Sequence, residues 1–161
     1  MPADEQVSIL QAVALTAFFA LFFYVWGTTN LEGLLNYPFW RDMGGMMTNQ
    51  DFIKLRAMHG WKVFPLLVAP LLLLQLVVIA LVFLRPPGIP LWALLVVLAF
   101  EALYMIVTVF FEIPIHRRHD QQGYDLALFD RLIFLDVWLR KLPRLLEAPF
   151  VLYLLWRVVR H

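Results

Sequence analysis

Apolar residues fill four long blocks of this chain, roughly Val7 to Trp26, Val63 to Phe83, Leu91 to Phe111 and Ile133 to Val159, and polar residues gather between them. Each block approaches the ~20 residues that about 30 Å of hydrocarbon requires of a helix. The pattern predicts an all-α integral membrane protein, a four-helix bundle in which every block crosses. Gly27, Thr28, Thr29 and Asn30 are expected to close the first span. The stretch from there to Gln50 holds Pro38, Gly44 and Gly45 among aromatics and methionines. It reads as an interfacial segment between helices 1 and 2, with Tyr37, Phe39 and Trp40 either at headgroup level or packed over the bundle.

Thr48-Asn-Gln-Asp51 has capping-box form, apart from Asp at the fourth position, and starts a helix that continues through His59 into the second span. Pro65 and Pro70 predict a bend in it. Arg85-Pro-Pro-Gly-Ile-Pro90 is a short turn that makes spans two and three antiparallel neighbours. Pro114 is expected to end or kink the third helix near Ile113, and Pro143 and Pro149 interrupt the fourth.

Four crossings put the end of span one, the start of span two, the end of span three and the start of span four on one membrane face. His59, Glu112, His116, His119 and Asp136 therefore share a side. Arg41, Lys54, Arg56, Lys62, Arg117, Arg118 and Arg131 on that side outnumber Arg85, Arg157 and Arg160 opposite, which places the polar end in the cytoplasm.

Composition narrows the picture further. A chain of 161 residues, 62% hydrophobic and 16% charged, has no room for a soluble domain beside four spans, so residues 1–161 read as a single transmembrane domain. The net charge of +1 and the lack of a Lys/Arg cluster give no nucleic-acid surface. Cysteine is absent, which excludes disulfides, thiolate metal sites, CxxCH haem attachment and cysteine nucleophiles. The acidic start MPADEQ lacks the basic region of a secretory signal, so the first block is expected to be a retained helix. Met43, Met46 and Met47 fit flexible packing better than a copper site. No Gly-rich phosphate loop, Ser/His/Asp order or HExxH motif is present.

The charges inside the apolar blocks carry the candidate chemistry, because a charge near mid-bilayer costs on the order of 3 kcal/mol and needs a partner, water or a task. At about 100° per residue, Glu101, Tyr104, Thr108, Glu112, His116 and His119 fall within roughly 60° of one direction on an extended third helix. Glu112 stands four residues before His116, and His116 three before His119. With His59 entering from a facing helix, His59, His116, His119 and Glu112, and Asp136 as a fifth donor, suit Fe, Mn, Cu or Zn, or a haem. The same histidines serve equally as interfacial or hydrogen-bonded structural groups. In span four, Asp136, Arg140, Arg144 and Glu147 share a face. They read either as an ion-pair ladder, or as Arg140 or Arg144 holding an anionic head or quinone oxygen while an acid relays protons.

The runs Tyr37-Pro-Phe-Trp-Arg-Asp-Met-Gly44, Asp51-Phe52, His59 with Pro65, Pro114-Ile-His116-Arg-Arg, Gly123-Tyr-Asp125 and Trp138-Leu-Arg140 together resemble a group of small uncharacterised bacterial four-span proteins. That group is similar to the anthrone oxygenase-like membrane family. The resemblance implies a compact four-helix bundle, a bacterial inner membrane and oxidation of a hydrophobic aromatic substrate. The family's Asn before the Trp-x-Arg element is Val137 here, and its second histidine upstream of His59 falls near Leu55 or Arg56.

The reading that follows is a membrane-embedded oxidoreductase or oxygenase-like protein acting on a lipophilic small molecule. His59, His116 and His119 bind a metal or move protons, Glu112 and Asp136 act as ligand or base, and Arg140 orients a substrate oxygen. Glu101 and Tyr104 complete the site, and a mechanism without cofactor also remains open. The alternative is a non-catalytic accessory subunit that packs membrane-protein partners or their cofactors.

Overall fold

In a computed structural model the chain is described over residues 8–160, without the side chain of Trp61. Five helices follow one another: α1 (Ile9–Gly44), α2 (Asn49–Val63), α3 (Phe64–Leu84), α4 (Leu91–Gln122) and α5 (126–160). No strand occurs among the described residues. α1, α3 and α4 are long and apolar enough to cross a membrane, while α5 carries too many charges for that class.

Local chemistry sets the helix starts. The Ser8 hydroxyl accepts from the Gln11 N–H at 3.2 Å and the Gln11 side chain accepts from the Ser8 N–H at 2.9 Å, a reciprocal cap on α1. Thr48 accepts from the Asp51 N–H at 3.2 Å, but the Asp51 carboxylate takes the Thr48 hydroxyl at 2.7 Å rather than the backbone N–H of a full capping box. Asp125 caps α5 by accepting from the N–H groups of Ala127 and Leu128. At the other ends, Arg85 takes a left-handed conformation (φ 44°) to leave α3, and Gly123 (φ 91°) leaves α4 where an added Cβ would meet the Asn49 side chain.

The helices outlast the points where the sequence predicts an end. Thr28 and Thr29 stay inside α1 because their hydroxyls donate to the carbonyls of Tyr24 and Val25, at 3.0 and 2.7 Å. The expected interfacial segment forms the last turns of α1, where Tyr37 and Trp40 pack with Phe52, Phe129 and Leu132 while Phe39 stays exposed.

Prolines are absorbed rather than obeyed. Wide turns, closed by N–H to carbonyl bonds five residues apart, occur from Glu32 to Tyr37, Phe64 to Ala69, Thr108 to Ile113 and Val137 to Leu142. Each is followed at once by a proline: Pro38, Pro70, Pro114 and Pro143. A proline ring collides with the carbonyl four residues earlier and offers it no N–H, and a π turn opens the room. The helix therefore continues. The Leu66 carbonyl, four before Pro70, accepts from the Tyr24 hydroxyl at 3.0 Å.

α1 packs on α3, α3 on α4, α4 on α5 and α5 on α1, with α2 against the end of α4. Gln11 donates to the Leu84 carbonyl at 2.9 Å and Arg157 to the Gly88 carbonyl at 2.8 Å, which gathers the start of α1, the turn at 85–90 and the end of α5 at one end. Tyr124 donates to the Arg41 carbonyl (2.8 Å) and to Asn49 Oδ1 (3.2 Å), joining loops 45–48 and 123–125 at the other. Two apolar cores result. One, around Phe22, Leu74, Val97 and Leu154, fills the half nearer residue 85, and the other, around Phe52, Phe129 and Leu132, fills the opposite half. Between them lies a layer of buried charge.

Candidate functional site

The charged layer is built mainly by α4 and α5. Glu101, Glu112, Asp136, Arg140, Arg144 and Glu147 are all buried, so each ion must find its partners within the protein. Arg144 donates to Glu101, with a further contact at 3.3 Å, and to Glu147 at 2.9 Å. Gln75 of α3 donates to the second oxygen of Glu101 at 2.5 Å. Arg140 donates to Glu112 and to the Tyr104 hydroxyl, and stands 3.4 Å from Asp136. Lys141 pairs with Asp136 at 2.8 Å. The guanidinium carbons of Arg140 and Arg144 lie 4.3 and 4.7 Å from the Tyr104 ring centroid, so one tyrosine links the two ionic groups.

Arg140 and Glu112 also face a cavity of about 410 Å³, enclosed by α1, α2, α3 and α4 with Arg140 reaching in from α5. Its walls are mostly apolar. Phe64, Val68 and Leu72 of α3 and Val109 of α4 line it while remaining exposed, which puts an apolar mouth between α3 and α4. Its polar groups converge from several helices. Arg56 of α2 donates to His116 Nδ1 at 3.2 Å, and since guanidinium has no acceptor, Nδ1 is the bare nitrogen of this imidazole. The hydrogen then sits on Nε2, which donates to the Tyr37 hydroxyl at 3.4 Å. Arg56 is held in turn by Asp120 at 2.7 Å. His59 meets the edge of Trp40, with centroids 5.3 Å apart. Three polar atoms at the cavity, His59 Nε2, Glu112 Oε1 and Arg140 Nε, are buried with no hydrogen-bond partner among the described residues.

The sequence-derived set is thus divided. His59, His116, Glu112, Tyr104 and Arg140 line the cavity. Glu101 lies outside it in the Arg144 cluster, and Asp136 sits behind Arg140, against Gly33 of α1. Arg140 pairs with Glu112 and, at 3.4 Å, with Asp136 one turn earlier on α5, while Glu147 belongs to Arg144.

His119 leaves the site altogether. It is buried in the other core, donating from Nδ1 to the Gly123 carbonyl at 3.2 Å and stacking on Phe129 with centroids 4.0 Å apart. The expected metal set of His59, His116, His119 and Glu112 is therefore not assembled, and among the described residues no three His, Asp or Glu side chains converge to hold an ion. The π turn at Thr108–Glu112 carries one residue more than an α turn and rotates everything after it relative to Glu101 and Tyr104, while His119 stands seven residues, about two turns, beyond Glu112 and so reaches the far core. Burial along α4 falls at Glu101, Tyr104 and Val107, then skips to Glu112, Ile115 and His119, a five-residue step where helical spacing allows three or four.

Arg56 and Tyr37, the two partners of His116, entered the sequence reading only as a topology-determining cation and a headgroup-level aromatic. One signal was available: Arg56 stands three residues before His59, so the two share a helix face. Comparison of the chain with protein-family models, with curated proteins and with solved structures finds no match.

Proposed function

We propose that this chain crosses the membrane four times as a helical bundle and acts, in the manner of an oxidoreductase or oxygenase, on a lipophilic small molecule that enters the cavity from the bilayer. The fourth crossing is α5. The charges along its middle, Asp136, Arg140, Arg144 and Glu147, are buried while Phe134, Trp138, Leu145, Leu152 and Trp156 face outward and the exposed Asp130, Arg131 and Arg160 lie toward its ends, which is how a polar helix becomes acceptable to lipid. The resemblance to anthrone oxygenase-like proteins adds to this reading, although the family's second histidine upstream of His59 falls near Leu55 or Arg56 here.

The observation that carries the proposal is the joining of an apolar mouth to a polar end in one cavity. A lipophilic body leaves the bilayer without losing its apolar surroundings, and its oxygen-bearing end meets the groups that bind and move protons. Arg140 orients that oxygen. Glu112 Oε1 is placed to accept a proton, and His116 passes one between Nε2 and the Tyr37 hydroxyl.

The test is purification in detergent followed by native mass spectrometry for retained small molecules, metal analysis, an optical spectrum and dioxygen uptake with hydroxylated aromatic compounds. Retention or turnover of such compounds by the wild type, lost in folded Arg140→Lys, supports the reading, since an ammonium cannot serve Glu112 and Tyr104 in the planar geometry of guanidinium. Folded protein that binds none of them and copurifies with fixed membrane subunits would replace this reading with that of an accessory subunit.

A further inference from the structure

The ion pairs of the charged layer do not come out even. Arg140 has Glu112, and Lys141 has Asp136, but Arg144 alone serves both Glu101 and Glu147. Among the described residues no other Lys, Arg or His pairs with either carboxyl. Both are buried, at 0% and 1% exposure. The neighbouring positive charge, Arg140, lies across the Tyr104 ring and is engaged by Glu112 and Asp136; otherwise α3 contributes Gln75, α1 the Phe22 ring 5.2 Å from Arg144, and α4 the ring of Tyr104. Two carboxylates facing one guanidinium in an apolar interior would leave a full negative charge without compensation.

The hydrogen bonds say which carboxyl carries the remedy. Both oxygens of Glu101 receive donors, Oε1 from Arg144 and Oε2 from Gln75 and Arg144. Glu147 receives Arg144 on Oε2 only, and its Oε1 is buried with no partner. A carboxylate would leave that oxygen charged and unsatisfied, whereas a protonated carboxyl uses it to hold a hydrogen.

We propose that Glu101 and Glu147 form a proton-binding site, a pair of carboxyls that shares Arg144 and holds one exchangeable proton, carried on Glu147 Oε1. The site is separate from the cavity and does not depend on what the cavity binds. Its proton lies one tyrosine away from it, because Tyr104 contacts Arg144 with its ring and accepts from Arg140 with its hydroxyl.

The test is infrared spectroscopy of the purified protein at neutral pH, in H2O and in D2O, reading the carbonyl stretch that protonated carboxyls show and carboxylates lack. The wild type gives that band, shifted in D2O. The band disappears in Glu147→Gln and equally in Glu101→Gln, since removing either acid leaves Arg144 with one partner, and it persists in Glu112→Gln. A wild-type spectrum without the band, a band that ignores D2O, or a band that survives in either folded variant of the pair overturns the proposal. The wild-type measurement decides even if a variant does not fold.

Discussion

Replacing Arg144 by Met removes the cation that, alone among the described residues, pairs with Glu101 and Glu147, and puts a side chain of similar reach in its place. Three hydrogen bonds disappear, two to Glu101 and one to Glu147, and both carboxyls stay buried. Breaking a buried ion pair from one side costs about 3–5 kcal/mol, most of it the penalty on the stranded charge. For a chain of this length that corresponds to a fall in Tm of about 6–20 °C. The stranded charge can be removed as well. In the triple variant Arg144→Met, Glu101→Gln, Glu147→Gln, no ion remains, and replacing a buried ionic group as a whole is often neutral or stabilising. The triple variant is therefore expected to recover most of the loss, measured by thermal unfolding in detergent with helix content as the signal. A single variant within about 1 kcal/mol of wild type would mean that Arg144 is not the compensating charge. A triple variant no better than the single would trace the loss to packing, with Phe22 and Tyr104 as the contacts responsible.

Gly33→Ala places a Cβ onto the Asp136 carboxylate and the Lys141 side chain, and is expected to cost about 1–3 kcal/mol by thermal unfolding, whereas Gly27→Ala meets nothing within 4 Å and should be neutral or slightly stabilising. Tyr24→Phe loses the donation to the Leu66 carbonyl, a loss of about 1 kcal/mol that should shrink in a Pro70→Ala background, where a backbone N–H can serve that carbonyl; an unchanged loss would show that the proline is irrelevant to the contact. Because the chain has no cysteine, single substitutions report topology without background: Met46→Cys and Gln121→Cys are expected to label from one side of a sealed membrane, and Pro87→Cys and Arg160→Cys from the other. Labelling of Arg160→Cys together with Met46→Cys would remove α5 as a crossing.

Hydropathy made the helical class legible, and the turn at Arg85–Pro90 was plain from its prolines. The polar end of the molecule was legible too, since connectivity alone sends His59, Glu112 and His116 to one end, where they line one cavity. The sequence alone reads Thr28 and Thr29 as a helix end, Pro70 as a bend, and Pro114 and Pro143 as an end, a kink or an interruption. Thr28 and Thr29 return their hydroxyls to the helix that holds them, and Pro38, Pro70, Pro114 and Pro143 are accommodated by wider turns. A helical wheel at constant pitch cannot show those turns. For that reason it joined Glu101 to Glu112 in one stripe when Arg144 and Arg140 claim them separately, and because a wheel shows direction but not height it counted His119 among the cavity residues although it lies about two turns beyond Glu112. The partners of His116 were hidden for another reason, being distant in sequence and ordinary in type.

The π turn of α4 also makes chain length a carrier of information. An α turn and a π turn end at nearly the same height but one residue apart, so the direction of every side chain beyond Thr108 depends on how many residues lie between Tyr104 and Glu112. Losing one residue there would let the helix close at its ordinary pitch and swing the following side chains by about 100°, exchanging the wall that faces the cavity for the one that faces outward. Glu112 would trade places with an apolar neighbour although no side chain had been altered. Within such a segment a one-residue gap is a change of meaning rather than of length, and sequences related to this one are to be aligned through it by burial phase.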